Sequence, residues 1–140
     1  MTPRAKVWFV GAGPGAADLL TLRAAAVIGD ADVVVWASSL VHPDVLRHAR
    51  MDAEIVDSAA LPLEDVRALY ERALADGLVV ARIHSGDPAL WGAVQEQREL
   101  CDQLGLPGED IRPAAEVDGP APYLSVLLVP GRRTGRGGKL

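Results

Sequence analysis

The sequence predicts an α/β fold: a doubly wound, mostly parallel sheet with helices on both faces. Three observations lead there. Apolar runs without alternation, at residues 7–10, 33–36 and 78–83, read as strands buried on both faces. Stretches of helical spacing separate them, and strand alternating with helix argues for parallel pairing. Two of the runs lead into glycine-containing loops, Gly11-Ala12-Gly13-Pro14-Gly15 and His84-Ser85-Gly86-Asp87-Pro88. The carboxyl ends of strands are where open α/β sheets build their sites.

Composition fits one domain with a real core. The chain has 140 residues, 49% hydrophobic and 24% charged. No apolar run approaches a membrane span, and Met1-Thr2-Pro3-Arg4-Ala5-Lys6 carries no signal-peptide pattern, so the expectation is a cytoplasmic protein with no membrane partner. Cys101 is the single cysteine, which excludes an intrachain disulfide and a cysteine zinc site. Net charge is −5, yet Arg132, Arg133, Arg136 and Lys139 all lie in the last ten residues, which hold no acid. The remainder is so acidic that nucleic acid is not an expected partner.

In order, residues 5–10 form the first expected strand. Residues 19–28 read as a helix with Leu19, Leu22, Ala26 and Val27 inward, closed by Gly29-Asp30. Residues 32–36 are the second strand. Pro43 opens a short helix through His48. Residues 53–56 read as a short edge strand. Residues 61–75 form an amphipathic helix, with Leu63, Val66, Tyr70 and Ala73 on one stripe and Asp76-Gly77 at its end. Residues 78–83 are the fourth strand. Residues 89–104 are a helix with Leu90, Val94, Cys101 and Leu104 inward, capped by Gly105. Beyond Pro113, prolines and then glycines break the pattern. Residues 123–129 read as one more strand, and the basic end as a disordered tail.

Gly11, Gly13 and Ala16 fit the dinucleotide fingerprint G-x-G-x-x-A. That fingerprint needs an acid after the second strand to hold a ribose. Here the strand runs into Ala37-Ser38-Ser39, while Asp30 and Asp32 stand at its other end. Pro14 also removes an amide where a phosphate would want one. A nucleotide-binding module of this type is therefore disfavoured. In the second loop, Asp87 before Pro88 reads as a helix cap or as a carboxylate facing a ligand. Two such loops in one sheet favour a site.

The loops also carry a resemblance. Val10-Gly11-Ala12-Gly13-Pro14-Gly15, with Asp18-Leu19-Leu20-Thr21-Leu22-Arg23, resembles the opening signature of the tetrapyrrole methylases. Gly86-Asp87-Pro88 with Gly92 resembles their second signature. Trp36-Ala37-Ser38-Ser39-Leu40-Val41 and the stretch from Arg82 to Gly92 are most similar to the branch that methylates ring carbon 11 of precorrin-4 or cobalt-precorrin-4. The resemblance covers residues 5–112. It implies an S-adenosylmethionine-dependent enzyme of cobalamin synthesis, built as two α/β domains around a cleft. It also implies that residues 1–112 are the first of these domains, that 113–140 is a divergent segment, and that the second domain is absent.

By that resemblance, Pro14, Ser85, Gly86, Asp87 and Leu90 line the S-adenosylmethionine site. Gly11, Gly13 and Gly15 face the macrocycle, with Ser38 and His84 offered to its carboxylates through a hydroxyl and an imidazole. The plain alternative for His84 is a packed histidine at a strand end. His42 and His48 read as surface residues, Cys101 as core, and Trp8 and Trp36 as strand packing. Trp91 follows the second loop and is a candidate to line the cleft. No resident metal is implied; a cobalt ion would belong to the substrate. Half a cleft is expected to be inactive alone and to favour a homodimer through exposed apolar surface. A non-catalytic binding or assembly remnant is the competing reading.

Overall fold

The computed structural model describes residues 4–86 and 94–110. Along the chain run β1 (Lys6–Gly11), α1 (Leu22–Asp30), β2 (Val33–Trp36), β3 (Glu54–Asp57), α2 (Leu63–Asp76), β4 (Val79–His84), α3 (Val94–Leu104) and β5 (Gly108–Asp110). Short 3-10 helices add Ala17–Leu19 before α1 and Pro43–His48 after β2. All strand pairs are parallel, in the order β3-β2-β4-β1-β5. This is the doubly wound sheet that the unbroken apolar runs predict, with β3, expected at 53–56 and found at Glu54–Asp57, at an edge as expected.

Strand alternation sends successive side chains to opposite faces. Val7, Phe9, Val33, Val35 and Val80 pack with Val66, Tyr70 and Ala73 of α2 and Leu100 and Cys101 of α3. Val10, Val34, Ala81 and Ile83 pack with Ala24 and Ile28 of α1 and Val45 of the second 3-10 helix. Trp8 and Trp36 join this second cluster, partly buried. Cys101 is buried, and burial pushes its thiol up to about 11. It is a core residue, as the sequence predicts.

The inward stripe of the first helix differs from expectation. Leu22 is 91% exposed and Leu19 56%, while Ala24 and Ile28 are buried. The cause is local. Thr21 caps α1, its hydroxyl accepting from the Ala24 N–H at 3.0 Å, and Ala17–Leu19 closes a separate turn. The helix thus starts at Leu22, and its i, i+4 stripe falls on Ala24 and Ile28. Leu63 also differs: it opens α2 and stays exposed, while Val66, Tyr70 and Ala73 are buried as predicted. Leu90, the strand expected at 123–129 and the basic tail lie outside the described residues.

Asp32 fixes the amino end of β2 against β4. Its carboxylate accepts from the Val79 N–H at 2.8 Å and Arg50 Nη2 at 2.9 Å, with Arg4 at 3.8 Å. Burial raises its pKa, but these partners outweigh burial and hold it below the ordinary carboxylate value. Asp32→Ala should lower stability by roughly 1.5–3 kcal/mol, the range for hydrogen bonds to a charged group. Chemical denaturation at neutral pH reads this. An unchanged unfolding midpoint would show that the cluster contributes nothing.

Candidate functional site

The sheet order places a switch point between β1 and β4. These strands are neighbours, yet the chain leaves them in opposite directions. After β1 it crosses on the α1 face past β4 to reach β2; after β4 it crosses on the α3 face past β1 to reach β5. Loops that diverge to opposite faces leave a crevice at the strands' carboxyl ends, where open α/β sheets bind ligands. Both glycine loops open there.

The two loops are joined directly. The Ala12 N–H donates to His84 O at 2.8 Å, extending the ladder past the strands. Gly13 and Gly86 then exchange hydrogen bonds in an antiparallel bridge, Gly13 N to Gly86 O at 3.3 Å and Gly86 N to Gly13 O at 3.1 Å. Both have positive φ, 70° and 60°. A left-handed backbone is costly for any residue with a Cβ, which is why glycine stands at both places. Their surroundings differ. A Cβ on Gly13 would stand 3.0 Å from the Leu19 carbonyl oxygen, whereas one on Gly86 would meet no atom of the described residues within 4 Å. Among the described residues, Gly86 thus presents bare backbone to open space. Pro14 and Gly15 sit exposed beside it, at the turn of the first loop.

The structure brings Gly11, Gly13, Pro14, Gly15, Ser85 and Gly86 to one crevice. Asp87, Leu90 and Trp91 lie outside the described residues. Ser38 is exposed on the neighbouring rim, after β2. Its N–H donates to Asp57 Oδ1 at 3.1 Å. Hydrogen bonding from Ser38 and from the Ala59 N–H holds Asp57 below the ordinary carboxylate value. Asp57 is a residue that the sequence reading missed. It ends β3 in register with Trp36, so an acid does stand beside the end of β2, supplied by the neighbouring strand. It braces the Ser38 loop. The only sequence signal was its place directly after the short edge strand expected at 53–56.

His84 is 8% exposed, with its ring 6.2 Å from that of Phe9. Among the described residues, its buried Nε2 has no hydrogen-bond partner. Burial first, and the Arg82 charge second, lower its pKa to about 4. An imidazole kept neutral and enclosed is ill suited to a carboxylate. Of the two readings, the packed strand-end histidine fits this geometry better. His42 is exposed and caps the Pro43–His48 helix, its Nδ1 accepting from the Asp44 N–H at 3.2 Å.

An open pocket of about 380 Å³ lies beside the first loop, lined by Asp18, His42, Asp44 and Arg47 with Ala16 and Ala17. Two carboxylates against one guanidinium leave it no net attraction for an anion. Among the described residues, no group of three or more histidine, cysteine or acidic side chains is placed to hold a metal ion. No described helix is long and apolar enough to cross a membrane.

Comparison with known proteins agrees with this architecture. The precorrin-4 C(11)-methyltransferase of a Sinorhizobium species is 47% identical over 100 residues, covering 71% of this chain and 40% of that one. The enzyme of the same name from Mycobacterium tuberculosis is 42% identical over 127 residues, covering 89% and 50%. That second likeness runs past residue 112, farther than the loop motifs carry it. Among solved structures, a cobalt precorrin-4 methyltransferase superposes with a TM-score of 0.74 at 35% identity, covering 78% of this chain and 46% of that one. Uroporphyrin-III C-methyltransferase of Thermus thermophilus, complexed with S-adenosylhomocysteine, gives 0.65 at 32% identity, covering 76% and 44%. The chain spans about half the length of the curated relatives it matches. Residues 6–111 match the family Tetrapyrrole (Corrin/Porphyrin) Methylases, and the chain belongs to that family.

Proposed function

We propose that this chain carries the cofactor-binding half of an S-adenosylmethionine-dependent methyltransferase. Its substrate is precorrin-4 or cobalt-precorrin-4, methylated at ring carbon 11. The observation that carries this reading is the Gly13–Gly86 bridge, which joins two loops at the switch point and, among the described residues, leaves the Gly86 backbone uncovered. The names of the relatives support the substrate, and the S-adenosylhomocysteine complex of one structural relative supports the cofactor.

The cofactor, when bound, supplies a methyl group already activated on a sulfonium. The protein's task is then placement and exclusion of water. In this reading Pro14, Ser85, Gly86, Asp87 and Leu90 hold the cofactor. The backbone at Gly11, Gly13 and Gly15 offers a flat approach to the macrocycle, and the Ser38 hydroxyl a rim contact. His84 contributes by packing under the second loop. The exposed side chains of Leu19 and Leu40, on the loops after β1 and β2, supply apolar surface for a large flat ligand.

Calorimetry with S-adenosylhomocysteine and with NADH tests the reading. The first should bind and the second should not. Gly86→Val should reduce the affinity by roughly tenfold or more, a loss of about 1.4 kcal/mol, because its side chain enters the space beside that backbone. Its left-handed φ adds roughly 1–2 kcal/mol of folding cost. A variant that unfolds early yet binds normally would show that the loop is structural and sink the assignment.

A further inference from the structure

We propose that Arg82 is a positioning residue: its guanidinium sets the geometry of the rim loops before a ligand arrives. The functional consequence rests on the reading that those loops hold the cofactor. Arg82 lies on β4, two residues before His84, and points to the α2 and α3 face. Its Nε donates to Gln97 Oε1 of α3 at 3.1 Å, and its Nη1 to Ser58 Oγ at 2.7 Å. The Tyr70 hydroxyl of α2 donates to the same Gln97 oxygen at 2.9 Å. Ser58 passes the connection on. Its Oγ and its N–H both donate to the Trp36 carbonyl at the end of β2, at 3.1 and 2.7 Å. Asp57, next in the chain, braces Ser38 and Ala59. One side chain therefore ties β4 to both covering helices and to the ends of β2 and β3.

The chemistry of the site favours positioning over stability. Among the described residues, Arg82 is hydrogen-bonded to neutral oxygens and to no carboxylate. Arg82 is part-buried, and that burial lowers its pKa. A cation so placed is a costly way to fill space, and an apolar side chain of similar length would serve the core as well or better. What an apolar side chain lacks is the planar fork of donors that fixes two partners at once. Those partners lead to the Ser38 loop on one side and, through β4, to Ser85-Gly86 on the other.

Arg82→Met tests this. Gln97 keeps its bond from Tyr70 and Ser58 its bond to Trp36, so the variant should fold. Amide hydrogen exchange, well below the unfolding midpoint, should speed up by roughly tenfold at Ser38, Ser58, Ala59 and Gly86, and stay unchanged at Phe9 and Val10 in β1. Ser58→Ala should loosen Ser38 and Ser58 alone, and Arg82→Lys should fall between Met and wild type. Unchanged loop exchange in Arg82→Met, or one common acceleration across the sheet, would overturn the proposal. S-adenosylhomocysteine affinity on the same samples should fall by roughly tenfold in Arg82→Met. A wild-type chain that does not bind it counts against the cofactor reading, while the exchange pattern still decides the role of Arg82.

Discussion

Acidification from pH 7 to pH 4 should remove about 3 kcal/mol of stability through His84 alone. The sign follows from the environment. Burial, and then the Arg82 charge, hold the folded imidazole at about 4, against an ordinary 6.5. As pH falls below 6.5 the unfolded chain takes up a proton that the folded chain refuses. Stability therefore falls through that window and levels off, for this group, below about 4. The ordinary value and the folded one differ enough to give the stated figure. Urea unfolding at a series of pH values reads the slope directly. His84→Leu should flatten it between pH 6.5 and 4, and Arg82→Met should shrink it by removing the smaller of the two causes. At pH 7 His84→Leu should cost little, because it also removes a buried nitrogen that has no partner among the described residues. A slope unchanged in His84→Leu would mean that the imidazole is solvated, and would return His84 to the candidates for a carboxylate contact. Asp32 adds a separate loss at lower pH, below the ordinary carboxylate range, because its folded pKa is depressed.

Local rules were enough for most elements. Runs such as Val33-Val34-Val35 cannot alternate, so they had to be buried on both faces, and parallel pairing followed. The stripe Val66, Tyr70, Ala73 and the closing Gly77 specify α2 within a few residues. The first helix failed because apolar spacing alone cannot see a cap. Leu19 and Leu22 look inward until Thr21 resets the start of the helix. In the site, glycines at carboxyl strand ends were legible, since few other needs put Gly11, Gly13, Gly15 and Gly86 there. Their partnership was not. Nothing in the sequence says that Gly13 faces Gly86, because β4 reaches β1 only after two further strands have been laid down. The same holds for Asp57 and Arg82. Each acts across a strand register or between layers, and such contacts have no period to read.

The bridge itself gives the second large effect, a difference between two glycines of similar backbone conformation. Gly13→Ala and Gly86→Ala should both suffer from a positive φ, by roughly 1–2 kcal/mol each. Gly13→Ala meets a further obstacle. Its methyl would press on the Leu19 carbonyl, at 3.0 Å and backbone on backbone, so no side chain can turn aside. Relief requires the first loop to shift, and a shift there breaks the paired hydrogen bonds to Gly86. Each lost bond in such a place costs about 1 kcal/mol. Gly13→Ala should therefore be destabilised by roughly 3 kcal/mol or more, and Gly86→Ala by about half of that. Binding should divide the other way. Gly86→Ala leaves the bridge intact and puts one methyl into the space beside that backbone, so S-adenosylhomocysteine should weaken out of proportion to the modest loss in stability. In Gly13→Ala the affinity should fall together with the order of the loops, visible as faster exchange of the Gly86 amide. Thermal unfolding and calorimetry on the two variants separate these patterns. Equal destabilisation would mean that the Leu19 contact relaxes freely. Unchanged affinity in Gly86→Ala would mean that the ligand approaches from elsewhere in the crevice.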